Sequence, residues 1–144
     1  MSSVENVIGC PLFDDLEPKQ IEVFQSVFQL KMFREGENIL TEGQPGSSIV
    51  ILTEGMVSIS KALTLQPPSA TDDTREKALI TLSAKIKPFF GEMALVRTDA
   101  NRTATVKAES ECEIIEIEKE AFQSVCRTHP RISFRVMYNI AKKL

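Results

Sequence analysis

The spacing of apolar residues changes twice along the chain, and each change marks a change of element. Leu12, Phe13 and Leu16 have helical spacing, with Asp14 or Asp15 placed to cap a turn. Pro18 suits a first helical turn, and Ile21, Phe24, Val27 and Phe28 then recur at i, i+3, i+6 and i+7. That stripe predicts a helix over 18–28. From Gln29 onward the apolar residues alternate or come in short runs: Leu30, Met32 with Phe33, Ile39 with Leu40, 49–52, Met56 with Val57, and Ile59. The runs are separated by Glu35 and Gly36, Glu42 and Gly43, Pro45 and Gly46, and Glu54 and Gly55. Glycines at this spacing close turns between short strands, as in a sandwich or barrel. Further strands are expected over 78–82, 86–90, 102–108 and 111–117. Between them, residues 64–77 are polar, with Pro67, Pro68, Asp72 and Asp73, and read as a long exposed hairpin loop, the most mobile part of the chain. The helical period returns at the end. Glu118 and Glu120 suit the first turn of a helix with Phe122, Val125 and Cys126 on its inner face. His129 and Pro130 break it, and Ile132, Val136, Ile140 and Leu144 form a second stripe.

The pattern predicts one mainly β domain over 1–144, with flanking helices: a helical segment at 12–28, short strands of a sandwich or barrel at 29–117 and two helices at 118–144. At 144 residues, 42% hydrophobic and 26% charged, the composition is that of an ordinary soluble protein with a real core. A formal net charge of −3 argues against general nucleic-acid binding, yet leaves room for one anion held locally. Cys10, Cys112 and Cys126 are odd in number, widely spaced and outside any metal-ligand pattern. Neither a disulfide framework nor a zinc site is indicated, and reduced thiols are expected. Residues 1–10 lack the basic start and apolar core of a signal peptide, and no apolar run reaches the roughly 20 residues of a membrane span. A soluble, cytoplasmic protein is the expectation.

The candidate chemistry lies in two pieces, Phe90, Gly91, Glu92, Met93, Ala94 and Leu95, then Asn101, Arg102, Thr103, Ala104, Thr105 and Val106. A phosphate site needs converging backbone N–H groups and a cation, and a ribose site needs a carboxylate that accepts from a hydroxyl. These residues contain both.

With those elements on strands, the chain resembles the cyclic nucleotide-binding domain family. That family includes the sensor half of CRP/FNR-type regulators and the regulatory modules of cyclic nucleotide-dependent kinases and channels. Phe33, Gly36, Ile39, Glu42, Gly43, Gly46 and Ile49, followed by Gly55, are similar to its strand-and-turn framework. Residues 90–106 resemble its phosphate-binding cassette. The resemblance implies a double-stranded β-helix (jelly roll) with an N-terminal helix and two C-terminal helices, and cAMP or cGMP as ligand, with no cofactor and no metal. It implies that Glu92 accepts from the ribose 2′-hydroxyl and that Arg102 pairs with the cyclic phosphate. Backbone around Phe90, Gly91, Met93 and Ala94, and at Thr103 and Ala104, would complete the cradle. Guanidinium matches two phosphate oxygens in a fork, which lysine cannot do. A buried Arg102 without an anion would be a desolvated charge, so a partner is expected. Asn101 stands where proline is frequent in eukaryotic members, and Thr103 suits either nucleotide. Binding is expected to draw the cassette inward, while a hinge near 126–130 lets the last helix close over the base. In the regulators that helix continues, forms the dimer seam and leads to a DNA-binding unit. Base contacts are therefore expected beyond Leu144, and the chain is expected to be a sensor piece or to act on a partner or as a homodimer.

Two other classes compete. The roll is also the shape of metal-dependent enzymes that use several histidines, but the chain has one, His129, better suited to capping or the surface. No Walker loop, nucleophile elbow or triad is present, so catalysis is not expected. The other class is a ligand-free interaction or dimerisation module of the same fold, in which a Glu–Arg ion pair accounts for the cassette residues.

Overall fold

Two four-stranded antiparallel sheets face each other in the structure, a computed structural model that describes residues 4–62, 77–97 and 101–143. The strands are β1 (Gln29–Phe33), β2 (Asn38–Leu40), β3 (Ser48–Glu54), β4 (Met56–Ala62), β5 (Lys77–Ser83), β6 (Phe89–Phe90), β7 (Thr105–Ala108) and β8 (Cys112–Glu118). One sheet runs in the order β1-β8-β3-β6 and the other β2-β7-β4-β5. This is the mainly β roll with flanking helices that the family resemblance implies. β4 and β5 pair along their full length, from Met56 opposite Ser83 to Ala62 opposite Lys77. The expected loop at 64–77 falls almost wholly outside the described residues.

The sequence reason for the double layer is clearest in β3. Its residues Ser48 to Thr53 are all buried, because both of its faces are covered. Ile49 and Ile51 join Ile115 and Ile117 of β8 in a core shared with the terminal helices. Val50 and Leu52 point the other way and join Val57, Val106, Cys112 and Ile114 inside the roll. Successive strand residues face opposite sides, so Ser48 and Glu116 fall on the inner face, at the end of the roll. Burying about ten β-branched or leucine side chains in this way contributes roughly 1.5–3 kcal/mol each before chain entropy is counted.

The helices are α1 (Val4–Val7), α2 (Pro18–Ile21), α3 (Lys119–Thr128) and α4 (Pro130–Lys143). α1 was not foreseen: its two buried residues, Val4 and Val7, give too short a stripe to read. The helix expected over 18–28 is α-helical only to Ile21 and continues as a 3₁₀ helix over Glu22–Val27. Ile21, Phe24 and Val27 repeat every third residue, which is the 3₁₀ period. At the start, Glu17 and Gln20 form a reciprocal capping box. The strand expected over 86–90 shrinks to β6, because Ala84–Ile86 form a 3₁₀ turn, Lys87 is left-handed (φ 44°) and Pro88 has no N–H to donate. The strand expected from Arg102 begins only at Thr105. Glu118 ends β8 and serves as the N-cap of α3 rather than lying in its first turn. His129 caps the other end of α3, its Nδ1 lying 3.1 Å from the Val125 carbonyl. The last member of the α4 stripe, Leu144, is outside the described residues.

α4 folds back over the N-terminal segment. Ile132, Val136 and Ile140 enter the outer core with Leu12, Phe13 and Phe24. Asn139 donates to the carbonyls of Leu12 (3.0 Å) and Asp14 (2.9 Å), and Arg135 pairs with Asp15. The opposite side of α4 leaves Phe134, Met137 and Tyr138 exposed. Among the described residues no helix is long and apolar enough to cross a membrane.

Candidate functional site

Residues 90–94 and 101–104, on either side of the junction from β6 to β7, line a cavity of about 560 Å³. Phe90 is held opposite Val50 of β3, so the chain leaves the sheet beside Ser48 and must turn at once. Gly91 makes that turn with φ 85°, a conformation that costs other residues about 1–2 kcal/mol. A Cβ there would lie 2.5 Å from the Ser48 carbonyl oxygen and 2.7 Å from Arg102 Nη1. Only glycine fits. The next four residues, Glu92–Leu95, form a 3₁₀ turn that buries Glu92 and Ala94.

Arg102 comes in from the other side, held by its backbone. Its N–H donates to the Gln44 carbonyl and its carbonyl accepts from Gly43, both at 2.8 Å. Its side chain is only 9% exposed. Nη1 donates to the Ser48 carbonyl at 2.7 Å and Nη2 to the Ser48 hydroxyl at 2.8 Å. Gly46 lies against the guanidinium, where an added Cβ would be 2.4 Å from Nε. The Ser48 hydroxyl in turn donates to Glu116 Oε2 at 2.5 Å, and Glu116 is also ion-paired with Lys31 of β1. Burial pulls the guanidinium below its ordinary value, opposed by the charges of Glu116 and Glu118. For Glu116, burial would raise the carboxyl, but hydrogen bonds from Lys31 and Ser48 and the charges of Lys31 and Arg102 outweigh it. The carboxyl is held below its usual range.

Glu92 has a different partner. Its Oε1 lies 3.0 Å from Lys143 Nζ, near the end of α4. Lys143 also bonds the Phe89 carbonyl and sits 4.2 Å above the Phe89 ring. The two cassette charges are therefore satisfied separately, and the Glu–Arg ion pair considered from sequence is replaced by Glu92–Lys143 and Arg102–Ser48–Glu116. Arg102 bonds to the neutral oxygens of Ser48, and the carboxylate of Glu116 lies one hydroxyl behind them.

All eight candidate residues, Phe90, Gly91, Glu92, Met93, Ala94, Arg102, Thr103 and Ala104, line this one cavity. Leu40, Ile59, Leu82 and Val106 make its apolar wall, and Asn139, Lys142 and Lys143 of α4 reach its mouth. The last helix lies against the cavity, its Lys143 reaching Glu92 and the Phe89 carbonyl. Ser48, Glu116 and Lys143 were missed. No local motif marks them, since each meets its partner across 50 or more positions. The thiols take no part: Cys10 is buried, and that burial pushes it up to about 12.

A sequence model described as the cyclic nucleotide-binding domain matches residues 30–129. Glutaminase 1 of Bradyrhizobium diazoefficiens is 29% identical over 93% of this chain, which spans 19% of that enzyme. The cyclic AMP receptor protein of Thermus thermophilus is 24% identical over 94% of the chain, which spans 58% of the receptor. The regulatory domain of Toxoplasma gondii PKA, solved with cAMP, superposes with a TM-score of 0.74 at 20% identity, covering 97% of this chain and 47% of that one. The last likeness is one of fold.

Proposed function

The chain belongs to the cyclic nucleotide-binding domain family, and on that premise we propose that it is a non-catalytic sensor module for cAMP or cGMP that relays binding through α4. The observation that carries this reading is the meeting of Arg102 and Glu92 in one cavity with an apolar wall. About 560 Å³ is ample for a nucleotide-sized ligand, since small-molecule pockets run from about 300 to 1,000 Å³. Arg102 takes the phosphate and Glu92 the ribose 2′-hydroxyl. The base lies on Leu40, Ile59, Leu82 and Val106, near Thr103. Cyclic AMP is the first candidate because a relative across most of the chain carries its name.

The relay follows from one competition. A ribose hydroxyl donating to Glu92 displaces Lys143, and Lys143 is what ties the end of α4 to the cassette. Binding therefore shifts the position of α4 about the break at His129 and Pro130. The same helix offers its outward face, Phe134, Met137 and Tyr138, to a second copy. Lys143→Met should tighten nucleotide binding about 3- to 10-fold, because the competitor is gone while the apolar stem is kept. A calorimetric Kd that weakens instead would show that Lys143 holds the ligand rather than opposing it.

Thermal unfolding with a nucleotide panel tests the reading as a whole. A ligand at about 100 times its Kd stabilises by about 2.7 kcal/mol, which for a domain this size raises Tm by roughly 5–10 °C. cAMP or cGMP should do so and 5′-AMP should not. Equal midpoints with every nucleotide would leave the ligand-free interaction module as the better reading.

A further inference from the structure

The Arg102 guanidinium is the end of a hydrogen-bonded line that crosses the roll. Lys31 of β1 pairs with Glu116 of β8, Glu116 accepts from the Ser48 hydroxyl of β3, and that hydroxyl accepts from Arg102 Nη2. We propose that Glu116 is a positioning residue for Arg102, acting through Ser48, and that it sets the affinity of the site for a cyclic phosphate. The proposal rests on the reading of Arg102 as the phosphate ligand.

The chemistry of a hydroxyl carries the argument. Ser48 has one proton and two lone pairs. With the proton committed to Glu116, a lone pair must face Arg102, so the carboxylate fixes the direction in which Ser48 accepts. The Ser48 carbonyl anchors Nη1 beside it, and two neighbouring bonds hold the guanidinium plane. A guanidinium has five N–H groups, so donors remain for a ligand after both are made. Gly46 and Gly91 flank the group closely enough that any added Cβ would displace it. The plane is thus set from behind and given room at the sides.

The arrangement also explains how Arg102 waits in a buried place. Glu116 supplies negative charge from the rear, with Glu118 at the end of the same strand adding to it. Lys31, half exposed on β1, is a second cation on Glu116. It keeps the carboxylate at the back of the line, so that it does not reach forward and occupy the guanidinium itself. Charge balance and orientation are provided without filling the cavity side.

The experiment reads Arg102 directly in the free protein and then its affinity for cAMP. In the wild type, the Arg102 side-chain Nε–H should give a slowly exchanging, sharp NMR signal. Glu116→Ala and Ser48→Ala should each broaden or lose that signal and weaken cAMP binding about 10-fold. Ser48→Thr keeps the hydroxyl and should restore the signal and a Kd within about 3-fold of wild type, whereas Glu116→Gln keeps an acceptor for Ser48 but not the charge, and should restore the signal with a Kd between those of wild type and Glu116→Ala. If Glu116→Ala fails to fold, Ser48→Ala decides, because it leaves the carboxylate with Lys31. A wild-type Arg102 signal and Kd in Ser48→Ala, or in a folded Glu116→Ala, would overturn the proposal. So would loss of stability in both alanine variants with an unchanged Kd, since that is all a structural ion pair would do. If the wild type binds no cyclic nucleotide, the functional reading falls, while the Arg102 signal still decides whether Glu116 orients the guanidinium.

Discussion

Arg102→Ala should lower affinity for the cyclic nucleotide by a factor of about 100 or more and leave the free protein folded. Hydrogen bonds to charged groups contribute roughly 1.5–3 kcal/mol each, and a guanidinium fork on a phosphate makes two. A loss of about 3 kcal/mol or more is therefore expected, against 1.4 kcal/mol for each tenfold change in Kd. The fold should tolerate the change because the alanine also removes a buried charge, and Glu116 keeps Lys31 as its counterion. Arg102→Lys retains the charge but cannot form the fork or span the Ser48 carbonyl and hydroxyl together. It should recover little of the affinity. Calorimetry on the folded variants checks both, and an unchanged Kd in Arg102→Ala would mean that the phosphate, if bound, lies elsewhere.

Gly91→Ala should be the most damaging single methyl in the cavity. The residue sits at φ 85°, and the new Cβ would meet the Ser48 carbonyl oxygen at 2.5 Å and Arg102 Nη1 at 2.7 Å. One of those neighbours is backbone in a buried central strand and cannot yield cheaply. Strain at the dihedral adds to the clash, so a loss of about 2–4 kcal/mol is expected, with Tm lower by roughly 10 °C and nucleotide binding lost. Gly46→Ala makes a useful contrast. Its nearest contacts are all in the Arg102 side chain, the closest at 2.4 Å. It should push the guanidinium aside, weakening binding strongly while lowering Tm less than Gly91→Ala. Thermal melts and titrations of the pair separate the two effects. Wild-type stability and affinity in Gly91→Ala would contradict the geometry of the turn.

The parts of the fold that were legible in the sequence are those with a local cause. The apolar run 49–52 is continuous because β3 is covered on both faces, and the glycine-punctuated strands around it imply a sandwich or barrel. Glycine, acid and arginine are a weak signal by themselves, and it was the glycine-punctuated strands before them and the helices after them that singled out the residues which line one cavity. What stayed hidden depends on pairs far apart in the chain. Nothing near Ser48 announces that it will carry Arg102, and nothing near Lys143 announces Glu92. Local errors have local reasons as well. The stripe at Ile21, Phe24 and Val27 fits a 3₁₀ turn as well as an α-helix, and Pro88 cuts short a strand that hydrophobicity alone would extend.

The central claim is that one cavity reads ribose with Glu92 and phosphate with Arg102. Calorimetric titration of the wild-type chain with cAMP and with cGMP, beside Arg102→Ala, tests it most directly. Saturable one-to-one heat with at least one nucleotide, weakened about 100-fold or more in the variant, is the predicted result. No heat and no thermal shift from either nucleotide on folded wild-type protein, or full-strength binding by Arg102→Ala, would contradict it.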